Sequence, residues 1–123
     1  MGNWGPGNFD SDGARDYLDN LLRKLVEEIE ANFAMQDDPA HDFLEEYGEF
    51  GIIPAIDIYI TLAEKYGTSH VSADMAARWR RDYLQAFDED DYLNPSDFKP
   101  IRRKVVVETF DKLDALIASQ DGS

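Results

Sequence analysis

From Asp10 to Phe33 the apolar residues stand at Ala14, Tyr17, Leu18, Leu21, Leu22, Leu25, Val26, Ile29 and Phe33. Steps of three and four gather them on one side of an α-helix, whereas a strand would scatter them over both faces. A stripe this long has to be covered by other apolar surface, so it constrains the rest of the chain to supply partner helices. Asp10, Ser11 and Asp12 precede it, where a side-chain oxygen can cap orphan amides and negative charge suits the positive end of the helix dipole. A calcium loop starting at Asp10 is excluded, because its fifth and twelfth places hold Ala14 and Leu21.

Three further segments supply the cover. Ile52 to Tyr66 fits both a strand alternation and a helical period; its length, Pro54 in the first turn and Gly67 beyond the end decide for a helix. Being apolar nearly all round, it is expected to be the central buried helix. Ser72 caps a third helix with its stripe at Met75, Ala76, Trp79, Tyr83 and Phe87. A fourth, starting near Ser96 or Asp97, carries Phe98, Ile101, Val105, Val106, Phe110, Leu113, Leu116 and Ile117. Residues 34–51, with Pro39, Gly48 and Gly51, read as a loop holding one or two helical turns. The expectation is an all-α, single-domain bundle over residues 1–123, with four main amphipathic helices, a glycine-rich arm at 1–9 and a frayed tail at 119–123.

The chain has no cysteine, which removes disulfides, thiolate metal sites and cysteine nucleophiles from consideration. Its formal charge is -14, from 26 acids against 12 bases, so nucleic acid and anionic membrane are not expected as partners. No run approaches the ~20 apolar residues of a membrane span and no signal peptide is recognisable, so a cytoplasmic protein is expected.

The opening Met1-Gly2-Asn3-Trp4-Gly5-Pro6-Gly7-Asn8-Phe9-Asp10-Ser11-Asp12-Gly13-Ala14 resembles a bacterial domain-of-unknown-function family. Its members begin Met-Gly-x-Trp-Gly-x-Gly-x-Phe-(Asp/Glu)-x-Asp-x-Ala and continue into an amphipathic helix. The resemblance is specific over these fourteen residues and generic towards the end, where the Ser-Glu-Leu-x-x-Leu-Trp segment of such proteins is missing. It implies a small cytoplasmic helical protein and transfers no catalytic residue. Trp4, Gly5, Gly7, Phe9, Asp10 and Asp12 carry the motif, and a structural role is expected for them, with the two rings folded back onto the bundle.

Candidates for chemistry are few. His41, crowded by Asp37, Asp38, Asp42 and Glu45, could belong to a carboxylate-rich metal site, but no second histidine stands at helical spacing. His70 beside Thr68 and Ser69 is not a triad, whose members converge from separate elements. Arg78, Arg80 and Arg81 surround Trp79 as in a single-strand binder, yet that ring belongs to the core stripe, and Asp74 and Asp82 lie within reach of Arg78. No catalytic residue, metal ligand or cofactor is assigned.

Charge layout says more. Residues 1–50 hold thirteen acids and three bases; residues 51–123 hold thirteen and nine. Glu27, Glu28 and Glu30 oppose the dipole at the end of the first helix, and Lys99, Arg102, Arg103 and Lys104 oppose it at the start of the fourth. Arg23 and Lys24 can each reach Glu27 and Glu28, whereas Glu30, Asp37 and Asp38 have no local base. Either the fourth-helix bases pair with these acids or with Asp88, Glu89, Asp90 and Asp91 across the bundle, or the acids form a recognition face for a basic protein. The reading taken forward is a non-enzymatic acidic binding protein, in its sharpest form an immunity or antitoxin-like inhibitor. The alternatives are a small hydrolase or metal enzyme around His41 and an oligomerisation or scaffold domain.

Overall fold

A computed structural model describes residues 5–8, 11–38, 42–66, 70–89 and 98–121. It is an all-α bundle of α1 (Asp12–Phe33), α2 (Ile53–Tyr66), α3 (Ala73–Glu89) and α4 (Phe98–Asp121), with a ten-residue π-helix (Phe43–Ile52) leading into α2. Ser11 is the cap of α1, its Oγ accepting from the Ala14 amide at 3.2 Å, and Ser72 does the same for α3 through the Met75 amide at 3.1 Å. Among the described residues no helix is long and apolar enough to cross a membrane.

Contacts fix the topology. Gly51, before α2, lies against Asn32 near the end of α1, while His70, just beyond α2, meets Asp19 near the start of α1, so these helices run antiparallel. Asp88 meets Arg103, and Arg80 meets Asp111 and Asp114, so α3 and α4 are antiparallel too. Around the bundle the order is α1, α2, α4, α3, with α2 and α4 side by side and parallel. The π-helix packs on α1, α2 and α3. It closes one end of the seam between α1 and α3, whose backbones do not approach.

The core contains Leu18, Leu22, Ile29, Leu44, Ile56, Tyr59, Trp79, Tyr83, Phe87, Val106, Phe110 and Leu113. Phe33 is its aromatic junction, stacked on Trp79 at 6.2 Å between ring centroids and edge-on to Tyr83 at 6.5 Å.

Four expectations need correction. The segment 43–52 is helical rather than mostly loop: its glycines are points of close approach, not breakers. Helix α2 is not buried all round, since Pro54, Asp57, Ile58, Thr61, Glu64 and Lys65 face solvent while Ile53, Ala55, Ile56, Tyr59, Ile60 and Ala63 face the core. Phe98, Ile101 and Val105 are 57%, 67% and 43% exposed, so the core stripe of α4 begins only at Val106. Finally, α4 continues to Asp121, through most of the expected frayed tail. Gly67 and the expected start at Ser96 or Asp97 lie outside the described residues.

Candidate functional site

The end of the bundle that carries the π-helix gathers the charged groups with the most specific geometry. Asp42 opens this element, its Oδ1 accepting from the Glu45 amide at 3.1 Å, and the Ile53 amide closes it by donating to the Gly48 carbonyl five residues back. π-Helical segments are rare and often stand at functional positions. Here the wide turn delivers Glu49 between α3 and α4. Arg102 Nε donates to Glu49 Oε1 at 2.6 Å and Nη2 to Oε2 at 3.2 Å, and the Tyr83 hydroxyl donates to Oε2. Glu49 is only 8% exposed and Arg102 23%, so this is a nearly buried bidentate pair with a third donor. The hydrogen bond to Glu49 holds the Arg102 guanidinium above its ordinary pKa against the opposing effect of desolvation. Burial, reinforced by Glu49, pushes the Tyr83 phenol far above its ordinary value. Two acceptor oxygens already hold three donors, so the cluster is satisfied and acts as a clasp.

At the same end of the bundle lies a depression of about 370 Å³ formed by Gln36 and Asp37 after α1, Asp42, Phe43 and Leu44 at the start of the π-helix, and Ala86 and Glu89 at the end of α3. Among the described residues three carboxylates line it and no base does. The last turn of α1 contains no basic residue either, so its negative dipole end adds to the same field. Such a concavity, with Phe43, Leu44 and Ala86 as an apolar floor, suits the stem and charged head of a lysine or arginine.

The acids singled out in the sequence divide accordingly. Asp37 and Glu89 meet in the depression. Glu27 and Glu28 are exposed on α1 within about two turns of its end and have no charged partner among the described residues. Glu30 does not lack a base: it accepts from Arg78 Nη2 and from Trp79 Nε1, joining α1 to α3. Asp88 is held by Arg103 through two bonds of 2.7 and 3.1 Å, and Lys99 Nζ reaches its carbonyl at 3.5 Å. Arg103 keeps the Asp88 carboxyl below the usual range. Arg103 and Lys99 thus offset the end of α3, while Arg102 serves Glu49. Asp38 is half-buried with a partner of its own. Asp12 is the exposed first residue of α1, and Gly5 and Gly7 lie in an exposed irregular stretch. Trp4, Phe9, Asp10, His41, Asp90 and Asp91 lie outside the described residues.

Local pairings read from the sequence are replaced by others. Arg23 turns back to Asp19 and Asn20 rather than on to Glu27 and Glu28. Arg78 crosses to Glu30 rather than to Asp74 or Asp82, Arg80 spans to Asp111 and Asp114, and Arg81 takes Asp82. Trp79 is 1% exposed, which removes the ring a nucleic-acid base would stack on. His70, at the far end, has its Nε2 2.7 Å from Asp19 Oδ1, and its amide donates to the Tyr59 hydroxyl at 2.7 Å, tying the α2–α3 connection to α1 and α2. Thr68 and Ser69 are outside the described residues. Among the described residues no group of three or more histidines and carboxylates is arranged to hold a metal ion.

No protein-family model, curated protein or solved structure matches this chain.

Proposed function

We propose that this is a non-enzymatic, cytoplasmic binding protein that presents its acidic π-helix end to a basic protein. The observation that carries the reading is the depression itself: Asp37, Asp42 and Glu89 converge on a concavity with no base among the described residues of its lining. The arrangement of the arginines supports it. Arg23, Arg78, Arg80, Arg81, Arg102 and Arg103 are all bound to carboxylates of this chain, so the surplus acid is left for an outside partner. Glu27 and Glu28 extend the negative field along α1 and would speed encounter more than they deepen affinity. In the sharper form of the proposal the partner is an enzyme with a cationic substrate groove, and occupation of that groove inhibits it. Membership of the family suggested by the opening fourteen residues is a separate proposal and rests on that motif alone.

The test is affinity capture from nuclease-treated lysate of the source cell at low and moderate salt, with the wild-type chain and two charge-reversed variants. The expected result is one basic protein in near-equal amount, lost with Asp37→Lys/Glu89→Lys and kept with Asp16→Lys/Asp74→Lys at the opposite end. Recovery of no basic protein, or equal recovery by both variants, would refute the proposal.

A further inference from the structure

The face formed by α2 and α4, away from the acidic depression, has an unpartnered surface of a different kind. Between these parallel helices runs a groove of about 470 Å³, with Asp57, Thr61 and Glu64 on the α2 rim and Lys112, Ala115 and Ser119 on the α4 rim. Helical spacing continues the exposed side of α4 from Ser119, Ala115 and Lys112 back through Glu108 to Val105 and Ile101. Ile58 of α2 is itself 51% exposed. Of seven large apolar side chains exposed among the described residues, Ile101 and Val105 therefore stand on this stripe, and Phe98 begins the same stretch of α4. A monomer that leaves apolar side chains gathered in this way has an interface there.

Charge identifies the occupant. On a chain of net -14, this face is close to balance, with Asp57, Glu64 and Glu108 set against Lys104 and Lys112. The balance is also segregated, acids on the α2 rim and Lys112 on the α4 rim at the same height of one groove. A two-fold axis parallel to the groove lays α2 of one copy over α4 of the other, in parallel and at equal height. Each Lys112 then faces Asp57 and Glu64 of the other copy, twice per dimer. We propose that the α2/α4 face is the interface of a symmetric homodimer. An isologous contact of this kind is closed, leaves the acidic depressions free and keeps the acid-rich α1 surfaces apart.

The experiment is sedimentation equilibrium over a wide concentration range, with circular dichroism as a check on folding. The wild-type chain is expected to show a concentration-dependent doubling of mass. Val105→Asp, Lys112→Glu and the pair Asp57→Lys/Glu64→Lys change only exposed positions, so each is expected to fold and to weaken the dimer about tenfold or more. The decisive arm mixes Lys112→Glu with Asp57→Lys/Glu64→Lys: each alone has like charges in contact, but the mixed dimer is complementary at both contacts and is expected to regain wild-type mass. A wild-type chain that stays monomeric up to about 1 mM, a dimer indifferent to all the variants, or a mixture that does not recover would each overturn the proposal.

Discussion

Replacing Gly48 by alanine tests the close packing on which the π-helix depends. A Cβ on Gly48 would lie 2.8 Å from Cε2, 3.0 Å from Oη and 3.2 Å from Cζ of Tyr83. Ordinary carbon contacts lie at about 3.5 to 4.0 Å, so ring or helix must retreat by roughly half an ångström. The ring has little freedom to do so. Tyr83 has no exposed surface, Phe33 and Phe110 flank it at 6.5 and 6.0 Å between centroids, and its hydroxyl is fastened to a carboxylate that Arg102 also grips. Overpacking of this kind costs about 1–3 kcal/mol. The loss of chain freedom in the unfolded state returns about 0.4–1 kcal/mol. The net expectation is a loss of about 1–2 kcal/mol, or roughly 3–10 °C in Tm for a domain of this size. Two internal controls fix the sign. Nothing lies within 4 Å of a Cβ at Gly13 in α1, so Gly13→Ala should stabilise by about 0.5–1 kcal/mol. At Gly51 the obstacle is the Asn32 side-chain amide at 2.9 Å, which is half-exposed and can swing aside, so Gly51→Ala should be near neutral. Urea titrations followed by circular dichroism would rank the three. A Gly48→Ala midpoint equal to or above that of Gly51→Ala refutes the argument.

The clasp and the surface pairs give three more expectations. Arg102→Met leaves the nearly buried Glu49 carboxylate without its cation and should cost about 2–4 kcal/mol in urea denaturation, most of it recovered in Arg102→Met/Glu49→Leu/Tyr83→Phe, which removes the third member of the clasp as well. Tyr83 has a raised folded pKa, so its contribution is intact below the ordinary phenol value of about 10 and fades as pH rises above it; alkaline unfolding should start there with a step in tyrosinate absorbance, smaller in Tyr83→Phe. The Asp88 carboxyl is depressed, so its contribution is whole above the ordinary aspartate value of about 4 and is lost as pH falls below it. Arg103→Gln should therefore slightly flatten the fall in Tm between neutral and acid pH, the change being small because both partners are about half exposed.

The helices were legible where one side of a segment is apolar and the other polar. The stripes of α1 and α3 gave their existence and most of their buried faces, although Tyr17 and Leu21 of the α1 stripe are 70% and 39% exposed, and Pro54 settled α2 against the strand alternation. The π-helix was not legible, because a glycine that ends a helix and one that admits a neighbouring ring are the same letter. Gly48 makes sense only once Tyr83 is beside it. Likewise Phe98, Ile101 and Val105 fit the helical period, but period alone does not say how far the bundle extends to cover them. The charged site was half readable. Bases at the start of α4 signalled that acids must come from elsewhere, yet their partners are distant in sequence: Glu49 lies 53 residues from Arg102, and Glu30 lies 48 from Arg78. Asp37 could be marked as lacking a local base and Glu89 as part of an acidic run; that they share one depression follows only from the fold.

The seam between α1 and α3 bears on how the chain assembles. One half, α1 with the π-helix and α2, and the other, α3 with α4, are each antiparallel pairs of sequence neighbours, so most contacts in either half close short stretches of chain, the kind that form early in folding. Joining them along α2 and α4 is a backbone-to-backbone docking, whereas the opposite seam is closed, apart from the π-helix itself, by side chains: Glu30 on Arg78 and Trp79, Phe33 on Trp79, and the Gln36 amide on the Asp82 carbonyl at 3.4 Å. That seam is the last to zip and the first to part. Native-state hydrogen exchange should register it as a subglobal opening in which Trp79 meets water while both helical pairs stay intact.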